Sequence, residues 1–363
     1  MRWSLPGLFG LPRLDLPLLL ALLTVMGGGL FVLYSASGED LGLVYRQALR
    51  LGVGIAILLA ISQVPPHVLR RWTPWLYALG LVMVAATAWL GVGQGAQRWL
   101  DFGVVRFQPS EIMKLAVPMM VAWYLHPRVL PPGFKDGAIA GAILVVPALL
   151  IARQPDLGTA LLVGVSGCFT LFLAGLRWRV ILGLGATALA ALPALWLVMH
   201  EYQRNRVRTF LNPESDPLGQ GWNIIQSKIA VGSGGLAGKG WLNGTQSRLE
   251  FIPERHTDFI LAVLAEEFGL VGVIALMALY LYIAGRGLYI ASVGRDTWSR
   301  LVAGSLAMTL FVYVLVNGGM VSGVLPVVGV PLPLISYGGT SAVTLLAGFG
   351  IMMSVYGHRK FTR

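Results

Sequence analysis

Charge is what this sequence has least of. Only 12% of its 363 residues are Asp, Glu, Lys or Arg, about half the share of a soluble domain. That scarcity excludes an ordinary soluble enzyme and a disordered chain. Cysteine is nearly missing too. The one present, Cys168, excludes a disulfide framework or a Cys-based metal site within one chain. Its place in an apolar run reads as a small buried residue. No internal repeat with a period of roughly 20–50 residues is visible, and there is no low-complexity tract.

Apolar residues, by contrast, make up 56% of the chain, and the mean hydropathy is +0.73. One soluble core has no room for that much apolar surface, whereas a bilayer accepts it. Stretches able to cross roughly 30 Å of hydrocarbon fall near 16–36, 47–64, 74–92, 109–126, 137–152, 157–175, 178–199, 259–284, 301–323 and 337–357. The expectation is an all-α integral membrane protein, a polytopic bundle of about ten transmembrane helices. It forms one unit over 1–363, with one long extracytoplasmic loop at 200–257. The first span resembles a signal peptide, but its apolar run exceeds the usual signal length, so it reads as a retained helix.

The 27 Lys and Arg outnumber the 16 Asp and Glu, giving a net charge of +11. In a soluble protein this balance would suggest nucleic acid. Here the basic residues are needed at the cytoplasmic helix ends. With the N-terminus inside, fourteen fall on inner segments, among them Arg2, Arg13, Arg70, Arg71, Arg128, Lys360 and Arg363; five fall in short outer loops. The asymmetry predicts both termini in the cytoplasm.

The informative residues are the polar ones in or beside the spans, because ionisable groups there face a cavity or a partner. Glu111 and Lys114 share one helix face and read either as a structural ion pair or as a cavity wall. Ser110 is the expected cap of that helix. Asp156 reads as a helix cap or as a cavity group. In Pro253-Glu254-Arg255-His256-Thr257-Asp258-Phe259, Thr257 or Asp258 suits an N-cap, while a carboxylate beside Arg and His also suits a general base. The prolines and glycines of 317–341 break a helix at membrane depth, which is tolerated only where backbone is buried or lines a cavity. The clusters at Lys114, Asp156, Asp258 and Ser336 all fall on the outer side of the proposed topology. Within the outer loop, residues 224–231 form an amphipathic piece suited to the membrane surface. The glycines of 232–240 fail the P-loop spacing, since Ser233 and Gly240 stand where the motif needs Gly and Ser/Thr.

The strings GAQRWLD (95–101), RFQPSEIMK (106–114), QPDLGT (154–159), NPESDPLGQGWNIIQSKIAVGSGGL (212–236), FIPERHTDFILAVLAEEFG (251–269) and VLPVVGVPLPLISYGG (324–339) resemble the SEDS family (shape, elongation, division and sporulation). Arg255 makes the chain most similar to the elongation branch. The resemblance implies a peptidoglycan glycosyltransferase that polymerises lipid II at the outer face of a bacterial cytoplasmic (inner) membrane during cell elongation. It also implies a class B penicillin-binding protein and other elongation-complex membrane proteins as partners, and no nucleic acid. Asp258 takes the position of the proposed catalytic carboxylate. Arg98, Glu111, Lys114, Asp156, Arg255, His256 and Ser336 take substrate-binding positions. No metal ligands are recognisable, although a divalent cation such as Mg would suit a diphosphate leaving group. A lipid II flippase, or a scaffold without catalysis, would use the same cavity.

Overall fold

The computed structural model describes residues 14–92, 98–101, 103, 106–199, 201–216, 219–249 and 251–359. Four of the charges counted for topology, Arg2, Arg13, Lys360 and Arg363, lie outside these residues, as do Gly95, Ala96 and Gln97 of the first motif.

Helices dominate. In chain order they are α1 (Leu16–Ala36), α2 (Leu41–Gln63), α3 (Pro66–Leu90), α4 (Pro109–Leu125), α5 (Phe134–Arg153), α6 (Leu157–Leu173) and α7 (Trp178–Val198). There follow α8 (Glu201–Leu211), α9 (Gln220–Ser233), α10 (Thr245–Arg248), α11 (Ile260–Ser292), α12 (Thr297–Val321) and α13 (Thr340–Gly357). A two-stranded hairpin, β1 (Leu100–Asp101) and β2 (Arg106–Phe107), precedes α4. Ten of these helices stand at the ten predicted spans. Six, namely α1, α2, α5, α11, α12 and α13, are long and apolar enough to cross a bilayer by themselves.

Local chemistry explains where the ends differ from prediction. α2 starts at Leu41, before the apolar run, because Asp40 Oδ1 accepts from Gly42 N (2.8 Å) and Leu43 N (3.1 Å). α3 starts at Pro66, whose fixed φ suits a first helical position. α11 continues past Arg286 because that guanidinium pairs with the buried Asp15 at 2.8 Å and covers the Tyr289 ring at 4.5 Å. Asp15 in turn caps α1. The first span is thereby tied into the bundle, with Leu18, Leu22 and Leu33 fully buried.

The core gathers around α12, which packs against α4, α6 and α11. Trp298, fully buried, donates its indole N–H to Met119 O at 3.2 Å. α2 and α13 approach through glycine: a Cβ on Gly350 would sit 2.8 Å from Leu58 O. Small residues at such crossings permit the close packing that holds membrane helices together. α7 is exposed along most of its described length, as at Leu182 and Leu197. Cys168, expected to be buried, is exposed instead; its helix α6 turns Gly167 and Ser166 inward and leaves the thiol on the outer surface.

The 200–257 segment is largely ordered. α9 does not simply rest on a membrane surface. Ser227 and Ala230 are buried, and Ser227 Oγ donates to Val321 O at 2.9 Å, so the helix docks on the bundle. The glycine-rich stretch after it inserts into a break in α11. Gly269 has φ 64° and ψ −162°. Across that break Lys239 N and Gly240 N donate to the carbonyls of Glu266 and Glu267, both at 3.0 Å, while Leu270 N donates to Gly235 O at 2.9 Å. The amides that a phosphate loop would offer a nucleotide are therefore spent on α11. Glu266 completes the anchor, accepting from Lys239 Nζ (2.7 Å), Thr245 N (2.9 Å) and Gln246 N (3.1 Å), and Glu267 accepts from Ser35 Oγ.

Candidate active site

Five stretches converge on one cavity of about 290 Å³: the segment entering β1, the start of α4, the α5–α6 turn, the turn before α11, and the irregular segment between α12 and α13. Of the residues singled out in the sequence, Arg98, Glu111, Lys114, Asp156 and Asp258 line it, together with Gln108, Gly329 and Tyr337.

Glu111 and Lys114 lie one turn apart on α4, buried, with Nζ and Oε1 2.6 Å apart. They are both an ion pair and a cavity wall, since the same side chains also face a smaller cavity lined by Tyr313 and Phe349. Lys114 Nζ lies 5.2 Å from the centre of the Tyr313 ring. The cap of α4 is Gln108, not Ser110, which sits inside the first turn; Gln108 makes no side-chain cap bond. Its amide donates instead to Asp156 Oδ2 at 2.7 Å.

Asp156 serves both roles left open by the sequence. It caps α6, accepting from Thr159 N at 3.2 Å, and it lines the cavity. Arg98 Nη1 lies 3.8 Å from Asp156 Oδ1. The same guanidinium donates to the carbonyls of Gln154 (3.1 Å) and Pro155, clamping the α5–α6 turn.

Asp258 does not cap α11. Phe259 holds the cap position, with no side-chain cap bond. Burial and then the Glu254 carboxylate push the Asp258 acid up to about 6, against a lowering pull from Arg206. Glu111 and Asp156 are held by ion pairs or amide hydrogen bonds, whereas among the described residues the Asp258 carboxylate feels the field of Arg206 without such a contact.

The backbone around Asp258 is fixed from behind. Asn317 Nδ2 donates to Asp258 O and to Val330 O, each at 2.8 Å. Ser336 Oγ donates to Thr257 O at 2.6 Å and accepts from Leu332 N at 2.8 Å. Tyr337 N donates to His256 O at 2.9 Å. Ser336 is therefore spent on bracing the turn, and its hydroxyl is not among the cavity lining. Arg255 and His256 do not line the cavity either. Arg255 Nε donates to Ala36 O at 2.7 Å, and the His256 ring stands 6.1 Å from that of Tyr337. The irregular segment is wedged between two helices: a Cβ on Gly158 of α6 would meet Val328 O at 2.4 Å, and one on Gly29 of α1 would meet Ile335 Cα at 2.9 Å.

Sequence reasoning missed Asn317 as the Asp258 clamp, Gln108 as the Asp156 partner, and Gln47 and Arg50 of α2. Gln47 Nε2 donates to Ser336 O at 3.2 Å and its Oε1 accepts from Gly338 N at 3.3 Å. Arg50 lies over the Tyr337 ring at 4.6 Å. The signal was present as polar residues beside or within an apolar span.

Among the described residues no three His, Cys, Asp or Glu side chains cluster so as to hold a metal ion. Two of the three cavity carboxylates are already engaged, so this donor set does not fit a resident cation.

Comparison with known proteins returns one family. A family model described as cell cycle protein, of the FtsW, RodA and SpoVE group, matches residues 14–361. The peptidoglycan glycosyltransferase MrdB of Escherichia coli is 55% identical over 351 residues, covering 96% of this chain and 95% of that protein. The probable peptidoglycan glycosyltransferase FtsW of Trichlorobacter lovleyi is 35% identical over 364 residues, covering 96% and 94%. Among solved structures, a chain of a peptidoglycan synthase complex that coordinates polymerization and crosslinking superposes with TM-score 0.84 at 34% identity, covering 96% of this chain and 99% of that one. The rod shape determining protein RodA of Thermus thermophilus superposes with TM-score 0.74 at 29% identity, covering 99% and 100%.

Proposed function

This chain belongs to the cell cycle protein family of FtsW, RodA and SpoVE, and from that premise we propose how its cavity makes glycan. Its activity is that of a peptidoglycan glycosyltransferase, and it is a multi-pass membrane protein of the bacterial inner membrane. The cavity faces outward, both termini are cytoplasmic, and the chain polymerises lipid II during cell elongation. It works with a class B penicillin-binding protein, which cross-links the product.

The donor is a glycan on a polyprenyl diphosphate and the acceptor is the 4-hydroxyl of the lipid II N-acetylglucosamine. The bond broken is α and the bond formed is β, so one inverting displacement suffices. Asp258 takes the acceptor proton, the oxygen attacks the anomeric carbon, and the diphosphate departs with the electron pair of the broken bond. One observation carries the choice of base. Among the described residues Asp258 is the cavity carboxylate not engaged in an ion pair or an amide hydrogen bond, and its acid is raised to about 6. It is thus ionised at neutral pH yet more basic than an ordinary Asp.

The leaving diphosphate needs positive charge. Arg98 and Lys114 line the cavity, but each faces a carboxylate, Asp156 and Glu111 respectively. Their fields are therefore partly offset, and Arg50 and Arg206 at the same end of the bundle add to them.

The test is polymerisation of labelled lipid II by the purified chain with its penicillin-binding partner, comparing wild type with Asp258→Asn. Ladders from the wild type alone support the proposal. Equal ladders from both remove Asp258 as the base. No ladder from either, with the complex intact, points to transport or scaffolding instead.

A further inference from the structure

At the opposite end of the bundle, α3, α4 and the turn after α4 enclose a separate cavity of about 480 Å³. It is lined by Arg70, Trp123, Tyr124, His126, Pro127 and Arg128. α4 has 17 residues, so this end lies roughly 25 Å from Gln108 and the site described above.

The polar groups here are incompletely satisfied. Arg70 Nη1 lies 2.6 Å from His126 Nε2 and 3.1 Å from Asp296 Oδ2. A guanidinium only donates, so His126 Nε2 is the acceptor and the ring proton sits on Nδ1. That N–H is buried without an acceptor, a state native interiors avoid. Arg128 Nε donates to Asp136 Oδ1 at 2.8 Å and its Nη1 to Tyr124 O. Among the described residues, Arg70 Nε and Nη2 and Arg128 Nη2 have no protein acceptor. Asp296 and Asp136 offset the two arginines, while the exposed Arg71, Lys135, Arg295 and Arg300 leave this end in positive excess. The rest of the lining is not that of a soluble-anion site. Trp123 is 39% exposed and, with Tyr124 and Pro127, presents an amphipathic surface at the end of a membrane helix, where aromatic side chains meet lipid headgroups.

We propose that this cavity binds the phosphate-bearing headgroup of an anionic phospholipid from the cytoplasmic leaflet. The phosphate oxygens accept from Arg70, Arg128 and His126 Nδ1–H, and Trp123 packs on the glycerol and upper acyl chain. Basic pockets between membrane helices on this side are suited to such lipids. The choice of leaflet rests on the orientation proposed above; the headgroup chemistry does not.

The experiment is native mass spectrometry of the purified full-length chain titrated with phosphatidylglycerol and, separately, phosphatidylcholine. The wild type should hold phosphatidylglycerol roughly tenfold tighter, because both phosphates accept the same hydrogen bonds while the choline cation is repelled by this basic end. Arg128→Gln should remove most of that preference, and His126→Phe part of it. Arg128→Lys, which keeps the charge but not the fork, should fall between. Arg71→Gln, off the cavity, should leave the preference unchanged, and melting temperature would confirm that each variant is folded. Three results would overturn the proposal. They are equal affinity for both lipids, an equal loss with Arg71→Gln, or displacement of the lipid by millimolar inorganic phosphate. The last would assign the site to free phosphate.

Discussion

Asp258 combines two properties that rarely coexist in a carboxylate: it lines a water-accessible cavity, yet burial and Glu254 hold its acid up to about 6. A base with that affinity gives a definite pH profile. Polymerisation should rise with pH through about 6 and level off above it, as the carboxylate form becomes complete. The stability sign runs the other way. A raised acid means the folded chain favours the protonated form, so this group's contribution is lost as pH rises from the ordinary 3.8 toward 6. Asp258→Asn should therefore cost roughly 10²–10⁴ in rate while melting no lower than wild type at neutral pH. Glu111 and Lys114 behave differently because both are buried and paired at 2.6 Å. Lys114→Met strands a buried carboxylate and should cost roughly 3–5 kcal/mol. Adding Glu111→Gln to it should restore part of the lost melting temperature.

At the scale of elements, the turn that carries Asp258 is braced by irregular backbone rather than by a helix cap. The 322–339 segment places Val330 O, Leu332 N and Tyr337 N where Asn317, Ser336 and His256 meet them. Its position depends on glycine in its neighbours. Gly158→Ala would drive a methyl into Val328 O, displacing the segment, so lipid II turnover should fall with α6 still folded. The break in α11 is a second such device. Gly269 has φ 64° and a Cβ there would meet Gly238 N at 2.4 Å. Gly269→Ala should cost at least ~1–3 kcal/mol, and limited proteolysis should then cut the 234–245 stretch faster, because that stretch is held by the carbonyls the break exposes.

For the whole molecule, orientation is the property that decides which compartment the cavity serves. The orientation proposed above rests on the excess of basic residues at the end away from the cavity. Cysteines placed at Asp101 and at Arg71, in a Cys168→Ala background, should separate the two ends. A membrane-impermeant thiol reagent added to intact cells with a permeabilised outer membrane should label the first and spare the second. The reverse labelling would turn the cavity inward and remove extracytoplasmic polymerisation.

The sequence by itself determined the class of fold. Long apolar runs leave a chain no stable choice but helices in lipid, because unpaired backbone is too costly there; all ten spans were legible for that reason. It also marked Glu111, Lys114, Asp156 and Asp258, since ionisable groups beside apolar helices stand out. Tertiary structure alone decided what each polar group does. Ser336, marked in the sequence, braces the turn before α11, and so does Asn317, which was not marked. Asp156 is cap and cavity group at once, and nothing in the local sequence tied Gln47 and Arg50 to the segment before α13. These roles depend in part on partners up to 291 residues away, and hydrogen bonds over such separations leave no local pattern. The far end of α11 moved for the same reason. The pairing of Arg286 with Asp15, 271 residues apart, carries α11 past a charge that the sequence alone would place outside the membrane.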